Sequence, residues 1–156
     1  MEEKDYSLIF CRRERQGVRE VLLGMKKRGF GAGKWNGFGG KMDPGESMDQ
    51  CAVRELQEES SLDATEMIRR GYLVFKMVEA GKLMRVHVYE TWRFTGQERE
   101  TEEMRPQWFK EDELPLSGMW PDDPYWLPYL LASKSFVGRF VYEDEETISE
   151  HDVREQ

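Results

Sequence analysis

Cysteine and histidine are scarce in this chain: Cys11, Cys51, His87 and His151 are the whole supply in 156 residues. Two cysteines make no disulfide framework, and neither lies in a C-x-x-C spacing, so a zinc site is hard to assemble. Long apolar runs are missing, and none approaches the roughly 18 residues that a membrane-spanning helix needs. Positive charge is in deficit: 23 Lys+Arg stand against 31 Asp+Glu, a formal net charge of −8. That balance disfavours a nucleic-acid polymer or an anionic membrane as partner, since both are held mainly by Lys and Arg. The start, Met1-Glu2-Glu3-Lys4-Asp5, is acidic and lacks signal-peptide features. A cytoplasmic protein is expected, with room for a minor nuclear or mitochondrial pool.

Large apolar groups are plentiful. Five Trp, six Tyr and eight Phe exclude a disordered chain. The length suits one domain, taken as residues 1–156. The charge is uneven. Residues 143–156 hold seven acids and one arginine, and such a run reads as a solvated or frayed tail. Between Gly24 and Met42 there are five basic residues and no acid, whereas 43–63 hold seven acids and one base, Arg54. A basic stretch running into an acidic one suits a site for phosphate with a divalent metal.

Residues 6–11 and 18–25 read as a strand pair, and 72–79, 104–109 and 136–142 as further strands. The stretch 83–94 alternates, with Met84, Val86, Val88, Trp92 and Phe94 on one face; Glu90 breaks the pattern by falling among them. Ser47 with Gln50 forms a capping box that opens a helix over 47–60. A second helix is expected around 124–134, where Asp122 or Asp123 can cap and Pro124 suits the first turn. The class is α/β (α+β), with strands outnumbering helices.

Two segments carry chemistry. Residues 29–45 contain seven glycines interleaved with Phe30, Trp35, Asn36 and Phe38. They match neither a Walker loop nor G-x-G-x-x-G, and such aromatics are foreign to a flexible linker. Glycine here lets the backbone approach a ligand. In the 47–60 helix, Glu55, Glu58 and Glu59 fall at i, i+3 and i+4, where like charges repel by roughly 0.2–0.5 kcal/mol per pair. Three converging carboxylates make a hard oxygen site for Mg²⁺ or Mn²⁺.

Gly40, Glu46, Arg54, Glu55, Leu56, Glu58, Glu59 and Leu62 together match the signature of the Nudix hydrolases, G-x5-E-x7-R-E-U-x-E-E-x-G-U, where U is bulky and apolar. Ser61 departs from it by standing where the pattern has glycine. The runs 22–41, 54–60, 103–109 and 119–123 resemble those members of the family that act on 8-oxo-dGTP and 2-hydroxy-dATP. The resemblance implies a Nudix fold, a mixed sheet sandwiched between helices. It implies Mg²⁺-dependent attack of water on a nucleoside triphosphate, releasing the monophosphate and pyrophosphate. It also implies that Glu55, Glu58, Glu59, Glu103 and the Gly39 carbonyl are metal ligands. Glu59 or Glu103 would activate the water, and Arg54 would complete the catalytic set by holding a glutamate.

For the nucleotide, the resemblance implies phosphate contacts from Lys26 and Lys41 beside Phe38, Gly39 and Gly40. The base would be read by Asn36, Trp120, Pro121, Asp122 and Asp123, with Ser7, Phe30, Phe75 and Met84 lining the pocket. Met77 stands where a phenylalanine is expected. The partner would be a small molecule and the chain a monomer. Another nucleotide substrate (O6-methyl-dGTP or a dinucleoside polyphosphate) and a catalytically silent binding domain are the competing expectations.

Overall fold

The computed structural model describes residues 1–156. Strand β1 (Glu2–Arg15) turns through Gln16 and Gly17, both at positive φ, into antiparallel β2 (Val18–Lys26). Such a turn matches the right-handed twist of the strands it joins. The glycine-rich segment follows and contributes a short strand, β3 (Trp35–Asn36), beside β2. Helix α1 (Met48–Ser60) opens on Ser47, whose side chain accepts from the Gln50 N–H while Gln50 returns the bond, as the capping box requires. It ends at Ser61 in the left-handed region, φ 69°.

The long strands β4 (Asp63–Met77) and β5 (Lys82–Thr95) pair antiparallel with three register shifts. The expected strand at 72–79 is therefore only the regular end of β4, whose bulged first half hides its period. After β6 (Met104–Lys110) come a 3₁₀ turn at Leu116–Gly118 and helix α2 (Asp123–Leu131). Asp122 occupies the cap position of α2, but its side chain makes no capping bond.

Strand β7 (Phe136–Asp144) is followed by β8 (Thr147–Glu155), which corrects the reading of residues 143–156 as a frayed tail. The acidic run is a strand paired antiparallel with β7, and Ile148 and Val153 pack on the core. Ion pairs Lys134–Glu155 and Arg139–Glu150 offset part of its charge.

The eight strands form one mixed sheet in the order β3-β2-β1-β5-β4-β7-β8, with β6 also on β2; β1–β5 and β4–β7 are parallel. Alternation along β1 separates the two cores. Phe10 joins Leu73, Val88, Trp126, Leu130 and Phe136 under α2, while Ile9 and Cys11 join Leu56, Leu62 and Tyr89 under α1. Along β5 the expected apolar face holds for Val86 and Val88. Beyond them it fails: Trp92 is 37% exposed and Phe94 packs on the α1 side. Glu90, the pattern-breaker, is wholly buried against Arg12.

Candidate active site

A cavity of about 340 Å³ opens between the glycine-rich segment, β4, β5 and the start of α2. It collects residues distant in sequence: Ser7, Lys26, Phe30, Asn36, Gly39, Gly40, Lys41, Glu59, Phe75, Met84, Trp120, Asp122 and Asp123 all line it, as anticipated. Met77 also lines it, so the departure from the expected phenylalanine falls on the wall itself. Arg54, Glu55, Glu58 and Glu103 do not, and neither do two of the anticipated nucleotide contacts. Phe38 is fully buried in the α1-side core with Ile9 and Leu56, because its place in the loop faces the sheet and not the opening. Pro121 lies outside the lining between two residues that belong to it.

One end of the cavity is built around the N-terminus of α2. Asp122 and Asp123 are 4% and 2% exposed. The Trp126 indole N–H donates to Asp122 Oδ2 at 2.6 Å, and the Tyr142 hydroxyl donates to Asp122 Oδ1. That hydroxyl accepts in turn from the Asp122 N–H at 2.9 Å. Asp123 Oδ2 is buried with no hydrogen-bond partner. Burial raises both acids above their ordinary value, but two donors favour charge on Asp122. Asp123, desolvated and beside that charge, is raised well above its ordinary value. The two titrate as a pair. Phe30 and Trp120, with ring centres 5.2 Å apart, stand at the mouth. Trp120 also meets the Tyr142 ring edge-on at 5.8 Å.

The carboxylate end is built around α1 and the loop before it. Gly39 donates its N–H to Glu59 Oε1 at 3.0 Å. A Cβ on Gly40 would lie 2.6 Å from the Glu55 carboxyl carbon, and one on Gly39 would collide with the Ser7 carbonyl. Only glycine lets this loop lie against both strand and helix. Glu59 is 6% exposed, and burial pushes its carboxyl up to about 7, with the Gly39 N–H opposing and the Glu55 charge assisting. Burial also raises Glu55, against its bond from Arg54. Glu103 lies instead below its ordinary value, held by Arg28 at 2.7 Å with Lys26 3.6 Å away.

Arg54 is the hub of this end. Its Nε and Nη2 reach Glu46 at 2.6 and 2.9 Å, and its Nη1 reaches Glu55 at 2.8 Å and Glu58 at 3.2 Å. Those bonds bring Glu46 down to about 2. Glu55, Glu58 and Glu59 accordingly form no cluster of three carboxylates at metal-gripping distance. Arg54 draws Glu58 outward, and its side chain is 55% exposed. Convergence inferred from helical spacing alone did not allow for a guanidinium seated among the acids.

Sequence reasoning passed over Lys34, Lys82, Tyr6, Trp126 and Tyr142, all of which line the cavity. Lys34 Nζ lies 5.1 Å from the Trp120 ring and Lys82 Nζ 4.7 Å from that of Phe30. Lys34 stood within the basic stretch and could have been found there. Tyr142 reaches Asp122 only through the pairing of β7 with β4, which leaves no local signal.

A model of the NUDIX domain matches residues 4–130, and the chain belongs to that family. Among individual proteins, it is 49% identical over 137 residues to the oxidized purine nucleoside triphosphate hydrolase of Mus musculus, covering 88% of each chain. The protein of the same name from Danio rerio is 48% identical over 135 residues, with 86% of each covered. In fold, the crystal structure of a mutator MutT protein from Bacillus halodurans superposes with a TM-score of 0.83 at 22% identity, covering 96% of this chain and 97% of that one.

Proposed function

We propose that this protein hydrolyses oxidised purine nucleoside triphosphates, 8-oxo-dGTP and 2-hydroxy-dATP, to the monophosphate and pyrophosphate, and so clears damaged precursors from the nucleotide pool. The observation that carries this reading is the carboxyl pair Asp122–Asp123 at the end of an aromatic-walled cavity. Asp122 accepts from Trp126 and Tyr142; Asp123 has a bare buried oxygen, and burial beside its neighbour favours a proton there. A proton that can sit on either acid lets one pocket offer donor and acceptor in either order. That suits both an oxidised guanine and an oxidised adenine. Both vertebrate relatives are named oxidized purine nucleoside triphosphate hydrolase, which supports the substrate class.

The residues divide the work. Trp120 stacks on the purine, and Asn36 offers both an amide donor and an acceptor. Lys26 and Lys41, lining the same cavity, neutralise the phosphates. Glu59, desolvated and raised, is placed to accept a proton from the attacking water, while Glu103 stays ionised beside Lys26. Arg54 fixes Glu55 and Glu58 through charge-assisted bonds. The donor set is all oxygen, and buried Glu59 repelled by Glu55 and Glu103 fits a hard divalent cation. Glu55, Glu58, Glu59, Glu103 and the Gly39 carbonyl would hold Mg²⁺, with Mn²⁺ as substitute, Glu55 and Glu58 exchanging Arg54, and Glu103 exchanging Arg28, for the ion. When bound, the ion neutralises phosphate charge and acidifies a water.

The test is pyrophosphate release from 8-oxo-dGTP, 2-hydroxy-dATP, O6-methyl-dGTP and dGTP with Mg²⁺, alongside the Glu59→Gln and Asp122→Asn variants. Preference for the oxidised purines, lost in Asp122→Asn, is expected. No release from any substrate refutes the enzyme reading, and release from dGTP alone refutes the sanitising one.

A further inference from the structure

We infer that Arg12 is a positioning residue for the base-reading carboxyl pair: by gripping the far end of α2 it sets where Asp122 and Asp123 stand in the cavity. This rests on the pocket reading above. Arg12 lies on β1, wholly buried and remote from the cavity lining. Its Nη1 donates to the Leu130 carbonyl at 3.1 Å and its Nη2 to that of Leu131 at 2.9 Å. Nη1 also meets Glu90 Oε2 at 3.3 Å, and Nε and Nη2 meet Glu111 Oε1 at 3.2 and 2.5 Å. The guanidinium lies 4.6 Å from the Trp92 ring centre, and the Trp92 N–H donates to Glu90 Oε1 at 2.9 Å. One side chain thus joins β1, β5, the end of β6 and α2.

The helix needs such a tie. The N–H groups of Ala132, Ser133 and Lys134 serve the carbonyls of Pro128, Leu130 and Tyr129, and Arg12 serves that of Leu131. Helix α2 has no basic residue of its own in the last turn to face the negative end. Pro128 inside it removes an N–H and a rung of its ladder. At about 1.5 Å per residue, nine residues place Arg12 roughly 13 Å from the carboxyl pair. The near end is tied to the sheet by Tyr142 and the far end by Arg12. Release of the far end leaves the helix held by Tyr142 and by the packing of Trp126, Leu127 and Leu130, so it can tilt on that core contact and carry the acids with it. The planar fork of arginine can serve two carbonyls and two carboxylates at once, which a lysine cannot. Buried ion clusters are weak stabilisers beside apolar residues of like volume, so the contribution expected of this one is geometric.

Arg12→Leu alone leaves the wholly buried Glu90 with only Arg70 Nε, at 3.3 Å, and the Trp92 N–H, and is expected to fold poorly. The test therefore uses the double variant Arg12→Leu/Glu90→Leu, which removes the two wholly buried charges and leaves only Glu111 and Arg70, each partly exposed to water. KM for 8-oxo-dGTP should rise about tenfold and preference over dGTP fall by a similar factor, with kcat within about twofold. Amide hydrogen exchange should quicken across residues 120–127 and stay unchanged across α1. A folded double variant with wild-type KM and wild-type exchange at 120–127 overturns the proposal. So does an equal loss on every substrate with faster exchange throughout, the mark of a merely structural role. A wild-type protein indifferent to purine oxidation refutes the pocket reading, and the exchange measurement still decides the role of Arg12.

Discussion

Replacing Ser61 with glycine isolates a single backbone strain at the end of the helix that carries the carboxylates. Ser61 sits at φ 69°, ψ 14°, and its N–H donates to the Gln57 carbonyl at 2.9 Å. For a residue with a Cβ, the left-handed region costs about 1–2 kcal/mol. Glycine removes that strain but adds freedom to the unfolded chain, which offsets about 0.4–1 kcal/mol of the gain. No side-chain hydrogen bond of Ser61 is lost, because the serine hydroxyl that bonds here is that of Ser60, to the Leu56 carbonyl at 2.6 Å. The net stabilisation is about 0.5–1 kcal/mol, which in a domain of this size raises Tm by about 1–4 °C. Scanning calorimetry of Ser61→Gly, with kcat measured on the same preparations, reads both quantities. Turnover should stay within about twofold, since Glu59 is fixed by Gly39 and not by the cap. An unchanged or lowered Tm refutes the strain. A several-fold gain in kcat shows that the cap governs Glu58 and Glu59 after all.

Other perturbations test the remaining assignments. Asp123 titrates higher folded than unfolded, so its contribution to stability is complete below the unfolded value near 3.8 and is lost as pH rises toward the folded value. Thermal melts at pH 5 and pH 8 should show Asp123→Asn gaining on wild type at the higher pH; a constant difference refutes a proton held on Asp123. Phe38→Ala should cost about 3–5 kcal/mol by urea unfolding, as a core deletion does, with KM unchanged well below melting. A raised KM with little lost stability restores Phe38 to the substrate site. Arg54→Ala frees Glu55 and Glu58 and should lower kcat about 100-fold, since small misplacements of catalytic groups have such effects. Retained turnover in steady-state assays removes Arg54 from the catalytic set.

What the sequence determined by itself is what local chemistry specifies. The capping box at Ser47, the register of Glu55, Glu58 and Glu59 on one helix, the glycines that admit a close backbone and the left-handed strain at Ser61 all follow from residues within a turn or two of one another. Tertiary structure decided whatever depends on partners far along the chain. Glu55 and Glu58 are both engaged by Arg54, which also reaches Glu46 across the preceding loop. Phe38 turns into the core, and an acidic terminal run becomes a strand because β7 offers it an edge. Asp122 and Asp123 have the sequence of a helix cap, yet act as a buried acid pair because Tyr142 and Trp126 supply the bonds a cap would have used. Glu90, an acid on an apolar face, makes sense only once Arg12 stands beside it. Backbone propensity and helical spacing act over a few residues and are legible in order. Burial, pKa and the pairing of charges depend on which distant groups share a low-dielectric neighbourhood, and only the folded chain brings them there.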